Sequence, residues 1–328
     1  MTVPPPLPTP PTNPDGALRG KSGPREPNNW NRWGALDERG TANFIDPAMI
    51  VHAATLITTG HVVSCAVPLD FHTTPVPPDR PPPIHYFAFS GVDFLIENQP
   101  QAPVPAFPGA DDYVTMALQT GTHWDGLAHA HHGDTLYNGY WIGNTSSYAG
   151  ARRCSIDQIS PGIVGRGVLL DLPRHAGVER LMPGHVISVD ELVQTARAEQ
   201  VTVGRGDVLL LRTGHLAWYY SLADKQEFWA AGAPGIGGDV LAWLHETEVA
   251  ALAADNATVE VVPSETGDLH PLHPRLIRDL GLTIGELWWL DELADACADD
   301  GRYEFFLSAP PLRIQGAAGS PVNPVAIK

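Results

Sequence analysis

Two short apolar runs limit what this chain can fold into: Val164-Gly-Arg-Gly-Val-Leu-Leu-Asp171 and Val203-Gly-Arg-Gly-Asp-Val-Leu-Leu-Leu211. In each, glycines turn the chain into a continuous apolar stretch, the pattern of a strand covered on both faces. The match is local and occurs twice, so it is not a solenoid repeat. A sheet buried on both sides needs helices to cover it. Asp46 before Pro47 predicts a helix over 46–59 that stops at Gly60, and Ser188 and Glu191 stand in capping-box spacing for a helix over 188–198. Helices are also expected over 238–246 and 271–280, and strands over 61–69, 249–254 and 304–307. The proline-rich stretch 72–83 cannot pair in the centre of a sheet and reads as a loop. The expectation is an α/β fold, a single domain with a mixed sheet over 26–328, because no linker-like stretch interrupts it. A flexible proline-rich tail is expected over 1–25.

Charge removes one class of partner. Against 20 Lys and Arg stand 37 Asp and Glu, a balance of −17 that repels phosphates, so no nucleic acid is expected. No membrane partner is expected either, because no apolar run approaches the ~18 residues of a span. The N-terminus has neither a basic nor an apolar region of the secretory kind. Cys65, Cys154 and Cys297 form neither an even disulfide framework nor a C-x-x-C pair, which fits a reducing compartment; a cytoplasmic protein is expected. Gly16-Ala-Leu-Arg-Gly-Lys-Ser22 is one residue short of a P-loop, His245-Glu-Thr-Glu248 lacks the second His of a zinc-protease helix, and Ala233-Pro-Gly-Ile-Gly-Gly238 is not a dinucleotide fingerprint.

The chemistry concentrates in Leu118-Gln-Thr-Gly-Thr-His-Trp-Asp-Gly-Leu-Ala-His-Ala-His-His132. On an extended segment, His123 and Asp125 point to one face, and imidazole nitrogen with carboxylate oxygen suits Zn²⁺, Mn²⁺ or Fe²⁺. Gly121 and Gly126 allow tight turns around an ion. Downstream, Glu286 sits between Leu282–Ile284 and Leu-Trp-Trp-Leu, where an unpartnered carboxylate is costly and a metal removes the cost. Asp268 and His270 read equally as loop residues before a helix. Trp30, Trp33, Trp124, Tyr137, Tyr140 and Trp141 are candidate walls for a flat or aromatic small-molecule substrate, with core packing as the competing reading. His131 and His132 are read as outer or surface residues.

These residues carry a resemblance. Gln119-Thr-Gly-Thr-His-Trp-Asp-Gly-Leu-Ala-His129 is similar to the H-x-G-T-H-x-D-x-P-x-H signature of the cyclase family of metal-dependent hydrolases, which includes kynurenine formamidases and isatin hydrolases. Asn31-Arg-Trp-Gly with Asp37-Glu-Arg-Gly-Thr-Ala-Asn43, His273-x-x-Leu-Ile with Ile284-Gly-Glu286, and the ending from Tyr303 to the Ser-Pro-Val at 320–322 look like further parts of its longer members. The resemblance implies a swivelling β/β/α fold and a divalent metal, Mn²⁺ or Zn²⁺, at one or two ions per chain. It implies His123 and Asp125 on the first ion, His273 on the second, Glu286 shared, and His129 as general acid/base. Gln119 stands where short members have their first His ligand and is a candidate metal ligand through its amide oxygen, a weaker ligand for Zn²⁺ than imidazole, and Leu127 replaces the signature Pro. Trp33, Trp124 and Tyr137 are the substrate-wall candidates, and a homodimer or homotetramer is expected. The implied reaction is hydrolysis of a C–N bond in an amide or cyclic amide. The alternatives are cyclisation, dehydration or lactone opening at the same metal, and non-catalytic binding by the same fold.

Overall fold

The computed structural model describes residues 17–95, 109–159 and 161–328. Its centre is a nine-stranded mixed sheet. In chain order we name β1 (Val62–Ser64), β2 (Ile84–Phe89), β3 (Asp111–Thr115), β4 (His123–Asp125), β5 (Val164–Asp171), β6 (Val208–Arg212), β7 (Ala251–Ala254), β8 (Thr283–Glu286), β9 (Glu304–Ser308), β10 (Gly319–Pro321) and β11 (Val325–Ile327). The sheet runs β1-β11-β9-β5-β6-β7-β8-β4-β10. Its middle, β5 to β8, is parallel, and both flanks are antiparallel. Parallel strands must be covered on both faces, and Leu169, Leu170, Leu209, Leu210, Leu252 and Ala253 are all fully buried. β2 and β3 form a separate two-stranded ribbon.

The helices are α1 (Pro47–Ala54), α2 (Val189–Ala198), α3 (His215–Ser221), α4 (Gln226–Ala231), α5 (Val240–Thr247) and α6 (Asp291–Asp300), of which α3 and α4 pack together in a cluster beside the sheet. Capping follows the sequence: Asp46 accepts from the Met49 amide with Pro47 in the first turn, and Ser188 accepts from the Glu191 amide. The cap partner Glu191 turns its own side chain to His185 instead of closing the box.

Several expected elements are shorter, each for a visible reason. α1 ends at Ala54 rather than near 59, because the chain then turns toward Lys328, whose carbonyl accepts from the Thr59 and Gly60 amides. β1 covers three residues of the expected 61–69, since beyond it the Val67 amide leaves the sheet to donate to Thr122 Oγ1. In the second apolar run only Val208 onward is strand. Asp207 accepts from the Gly204 amide, and Gly206 takes a left-handed turn against Met49. The helix expected over 271–280 is a wide, π-type turn, Pro274–Asp279, closed by the Leu280 amide donating to the Arg275 carbonyl, and the amides of Leu272 and His273 before it are taken by the Glu260 carboxylate.

The packed chain reaches back to Ala17, which is buried; residues 1–16 lie outside the described residues. Arg278, also buried, donates to the carbonyls of Ser22 and Gly23 and to Thr135 Oγ1, and Arg25 pairs with Asp279. Residues 17–25 are therefore part of the fold and not of the tail expected over 1–25. Among the described residues no helix is long and apolar enough to cross a membrane.

Candidate metal centre

β4 lies between β8 and β10, and its register decides which side chains meet. His123 stands opposite Glu286, and Asp125 opposite Ile284. Opposed residues of an antiparallel pair share a face and neighbours along a strand alternate, so His123, Asp125 and Glu286 project to one side. Trp124 projects to the other, where it packs on Trp288 with ring centroids 4.7 Å apart. Gly285 permits this, because a Cβ there would stand 2.6–2.8 Å from Trp288, Ala253 and Trp124. Thr122 fixes the approach to β4 by donating to the Leu287 carbonyl at 2.7 Å while accepting from the Val67 amide.

His123 Nδ1 donates to the Gly121 carbonyl at 2.7 Å, which leaves Nε2 as the free lone pair. That Nε2 stands 3.7 Å from Asp125 Oδ1 and 3.4 Å from Glu286 Oε2. Nε2 of His123 and Oδ1 of Asp125 are buried and, among the described residues, make no hydrogen bond. Two orphaned donor atoms facing each other beyond hydrogen-bond reach is the arrangement a shared cation satisfies. The ligand atoms of His123, Asp125 and Glu286 all lie within 4.8 Å of one another, as do those of Glu260, His270 and His273.

His273 joins the two groups. Its Nε2 is 3.2 Å from Glu286 Oε1, and its Nδ1 makes a short hydrogen bond to Glu260. A buried carboxylate on the far nitrogen fixes ring orientation and makes Nε2 a better ligand. His129 lies at the edge of the cluster, about a quarter exposed, with Nε2 3.7 Å from Asp125 Oδ2. Gln119 contacts His129: its amide nitrogen is 3.4 Å from His129 Nδ1.

The electrostatics favour positive charge at this spot. Burial pushes the His123 imidazolium down, yet Glu286 and Asp125 more than reverse it, so the group ends above its usual range. At His273 burial is again overcome, by Glu260 and Glu286, which raise the imidazolium to about 10. Burial pushes Glu286 up, and His123 and His273 hold it well below the ordinary carboxylate range. A site that holds protons this firmly between imidazole and carboxylate holds a divalent cation by the same attraction.

A cavity of about 460 Å³ opens onto His129, His273 and Glu286, with Arg80 on its rim and His215, Phe228 and Trp229 on its wall. The expected substrate-wall aromatics are not among its described lining residues, and that expectation is corrected. Trp124 is fully buried behind β4 and donates to the Ala309 carbonyl. Tyr137 is fully buried and donates to Asp37, while Trp33 packs edge-on against Phe44. Trp124 and Tyr137 are core residues whose polar tips are used internally, and Trp33 is half-buried away from the cavity lining. His85 lies on the ribbon beside Asp112, and His131 and His132 are exposed.

Sequence reasoning missed Glu260, His215 and Arg80. Glu260 carried a usable signal: within Thr258-Val-Glu-Val-Val262 it is a carboxylate in an apolar run, the same oddity that marked Glu286. His215 had no such mark.

A family model described as Cyclase matches residues 41–261. That span includes His123, Asp125, His129 and Glu260 and stops before His273 and Glu286. A crystal structure described as a novel cyclase is 43% identical, covers 92% of this chain and 99% of its own, and superposes with a TM-score of 0.85. Isatin hydrolase A from Ralstonia solanacearum is 21% identical, with 85% and 95% of the two chains covered and a TM-score of 0.58. Isatin hydrolase A from Labrenzia aggregata, bound to benzyl benzoate, is 18% identical, with 81% and 93% covered and a TM-score of 0.56. At these last identities the likeness is one of fold. No curated protein matches.

Proposed function

The chain belongs to the cyclase family, and from that premise we propose that it is a metal-dependent hydrolase cleaving the C–N bond of an amide or cyclic amide. The observation that carries this is the buried, unpartnered pair His123 Nε2 and Asp125 Oδ1, converging with Glu286. The donor set of imidazoles and carboxylates suits Mn²⁺ or Zn²⁺. His123, Asp125 and Glu286 would hold one ion, and His273 with Glu286 a second. When bound, the cation supplies Lewis acidity toward a carbonyl and lowers the pKa of water.

The protein's own groups do the rest. His129 lines the cavity, and Asp125 Oδ2 stands 3.7 Å from its Nε2 to steady the ring as it gains charge. Its task is to move a proton to the departing nitrogen. Glu260 keeps the His273 ring turned toward Glu286. The isatin hydrolases of the same fold favour a cyclic amide as one substrate form, since isatin is a lactam.

Metal content of protein purified without a His-tag or chelator, read by plasma mass spectrometry, tests the centre. Mn or Zn near one or two per chain supports it, and none after incubation with either ion removes it. Amide and lactone panels then test the bond: lactone turnover without amide turnover replaces the C–N assignment.

A further inference from the structure

His215 is fully buried, yet it lines the cavity that opens onto His129 and Glu286. Among the described residues, neither of its ring nitrogens makes a hydrogen bond. Polar groups taken out of water are nearly always paired, so an imidazole left with two free nitrogens beside a cavity is made to meet something that enters it. The ring is rigidly held. Phe228 lies 4.4 Å from it, tilted by 32°, and Trp218 lies 5.3 Å away.

Its backbone is equally fixed. The buried Asp255 carboxylate accepts from the Thr213 amide, the Thr213 hydroxyl and the Gly214 amide. Gly214 takes the left-handed turn that starts α3. Asp255 directly follows β7, the neighbour of β8, which carries Glu286. One stretch of parallel sheet thus sets the separation between the free imidazole and the metal centre.

The charge state of the ring follows from its surroundings. Burial, helped by the Arg180 guanidinium that lies over Trp218, pushes His215 down to about 3, and the Gly232 backbone beside the ring pulls the other way. A neutral ring offers one N–H and one lone pair, which suits an uncharged polar group better than a carboxylate or phosphate.

We propose that His215 is the specificity residue of this cavity: its ring hydrogen-bonds a hydroxyl or carbonyl group on an aromatic substrate whose body lies against Phe228 and Trp229. The inference rests on the hydrolase reading and deepens it by naming the substrate class. A site built to pair with a hydroxyl rejects the analogue without it far more strongly than an apolar pocket separates two similar groups.

The test uses pairs of formanilides that carry a hydroxyl or a methyl group at the same ring position. Calorimetric titration of the full chain, manganese-loaded and metal-free, reads their affinities. Wild-type protein should bind the hydroxyl compound at least ~10-fold more tightly at one ring position. His215→Phe should bring that ratio close to one while leaving the methyl compound's affinity and the manganese content unchanged. His215→Asn should restore part of the preference, and it decides the matter if the Phe variant melts early. Preference retained in His215→Phe overturns the proposal, as does wild-type protein that does not discriminate or binds neither compound, or loss of manganese from the variant. Turnover is read separately: discrimination without turnover removes the hydrolase reading and keeps the subsite, and turnover without discrimination does the reverse.

Discussion

Glu286 stands directly across the β4–β8 pair from His123, with its carboxylate 3.4 Å from His123 Nε2, which makes no hydrogen bond among the described residues. The pairing comes from strand register, so it survives only as long as both strands keep their positions. That dependence, and the unequal roles of the residues around the pair, lead to distinct expectations.

Asp125→Asn should lose metal and activity together, because the substitution removes the charge on an orphaned ligand atom. His129→Ala should keep metal and lose about 10²–10⁴-fold in turnover, the usual worth of a positioned acid/base. Metal content beside steady-state rates separates the two. A His129→Ala protein of undiminished turnover would remove the acid/base assignment.

Glu260→Gln should weaken metal binding by about 10–100-fold, as loss of an outer carboxylate on a liganding His does, with little loss of the cavity's shape. Competition against a graded chelator measures it. Unchanged affinity would mean that Glu260 serves only to hold the backbone at Leu272 and His273.

Gly285→Ala should destabilise the protein by about 1–3 kcal/mol, because the new methyl group meets Trp124, Trp288 and Ala253 at once. Since Gly285 adjoins Glu286, metal affinity should fall in the same variant. Thermal melting with and without manganese checks both. Metal itself should raise the melting temperature, by the equivalent of about 2.7 kcal/mol at a hundredfold excess over Kd.

Glu199 gives a pH expectation away from the centre. Burial pushes its carboxyl up to about 8 from an ordinary 4.5, and its Oε2 makes no hydrogen bond among the described residues. The folded state then binds the proton more tightly than the unfolded chain. Stability from this group is therefore fully present below about 4.5 and is lost as pH rises through about 8. Glu199→Gln should flatten that slope and, near pH 8–9, melt above wild type by the equivalent of ~1–2 kcal/mol after allowance for partial exposure. Denaturant titrations at pH 5 and pH 8.5 measure it.

Much of this was legible in the sequence, and the failures share a cause. The strand over 164–171 and the helix starting after Ser188 are written in local terms, a covered apolar run and a cap, and both occur at those residues. α1 ended early where a distant group claimed the backbone after it, the Lys328 carbonyl, which accepts from the Thr59 and Gly60 amides. The site shows the same division. His123 and Asp125 were readable from two-residue spacing on a strand. Glu260 and His215 take their meaning from neighbours far away in the chain, which no spacing announces. The aromatic walls failed because an aromatic residue near a motif is as readily a back support as a face, and Trp124, alternating with two candidate ligands, had to point away from them.

The clamp between Arg278 and the carbonyls of Ser22 and Gly23 joins the early chain to the turn that presents His273. A version of the chain shortened to begin at residue 26 would leave that guanidinium enclosed with two of its acceptors gone, and Asp279 without Arg25. The damage would be felt several residues away, where the turn meets Glu260, so trimming a stretch that looks dispensable would loosen the second half of the metal centre from behind.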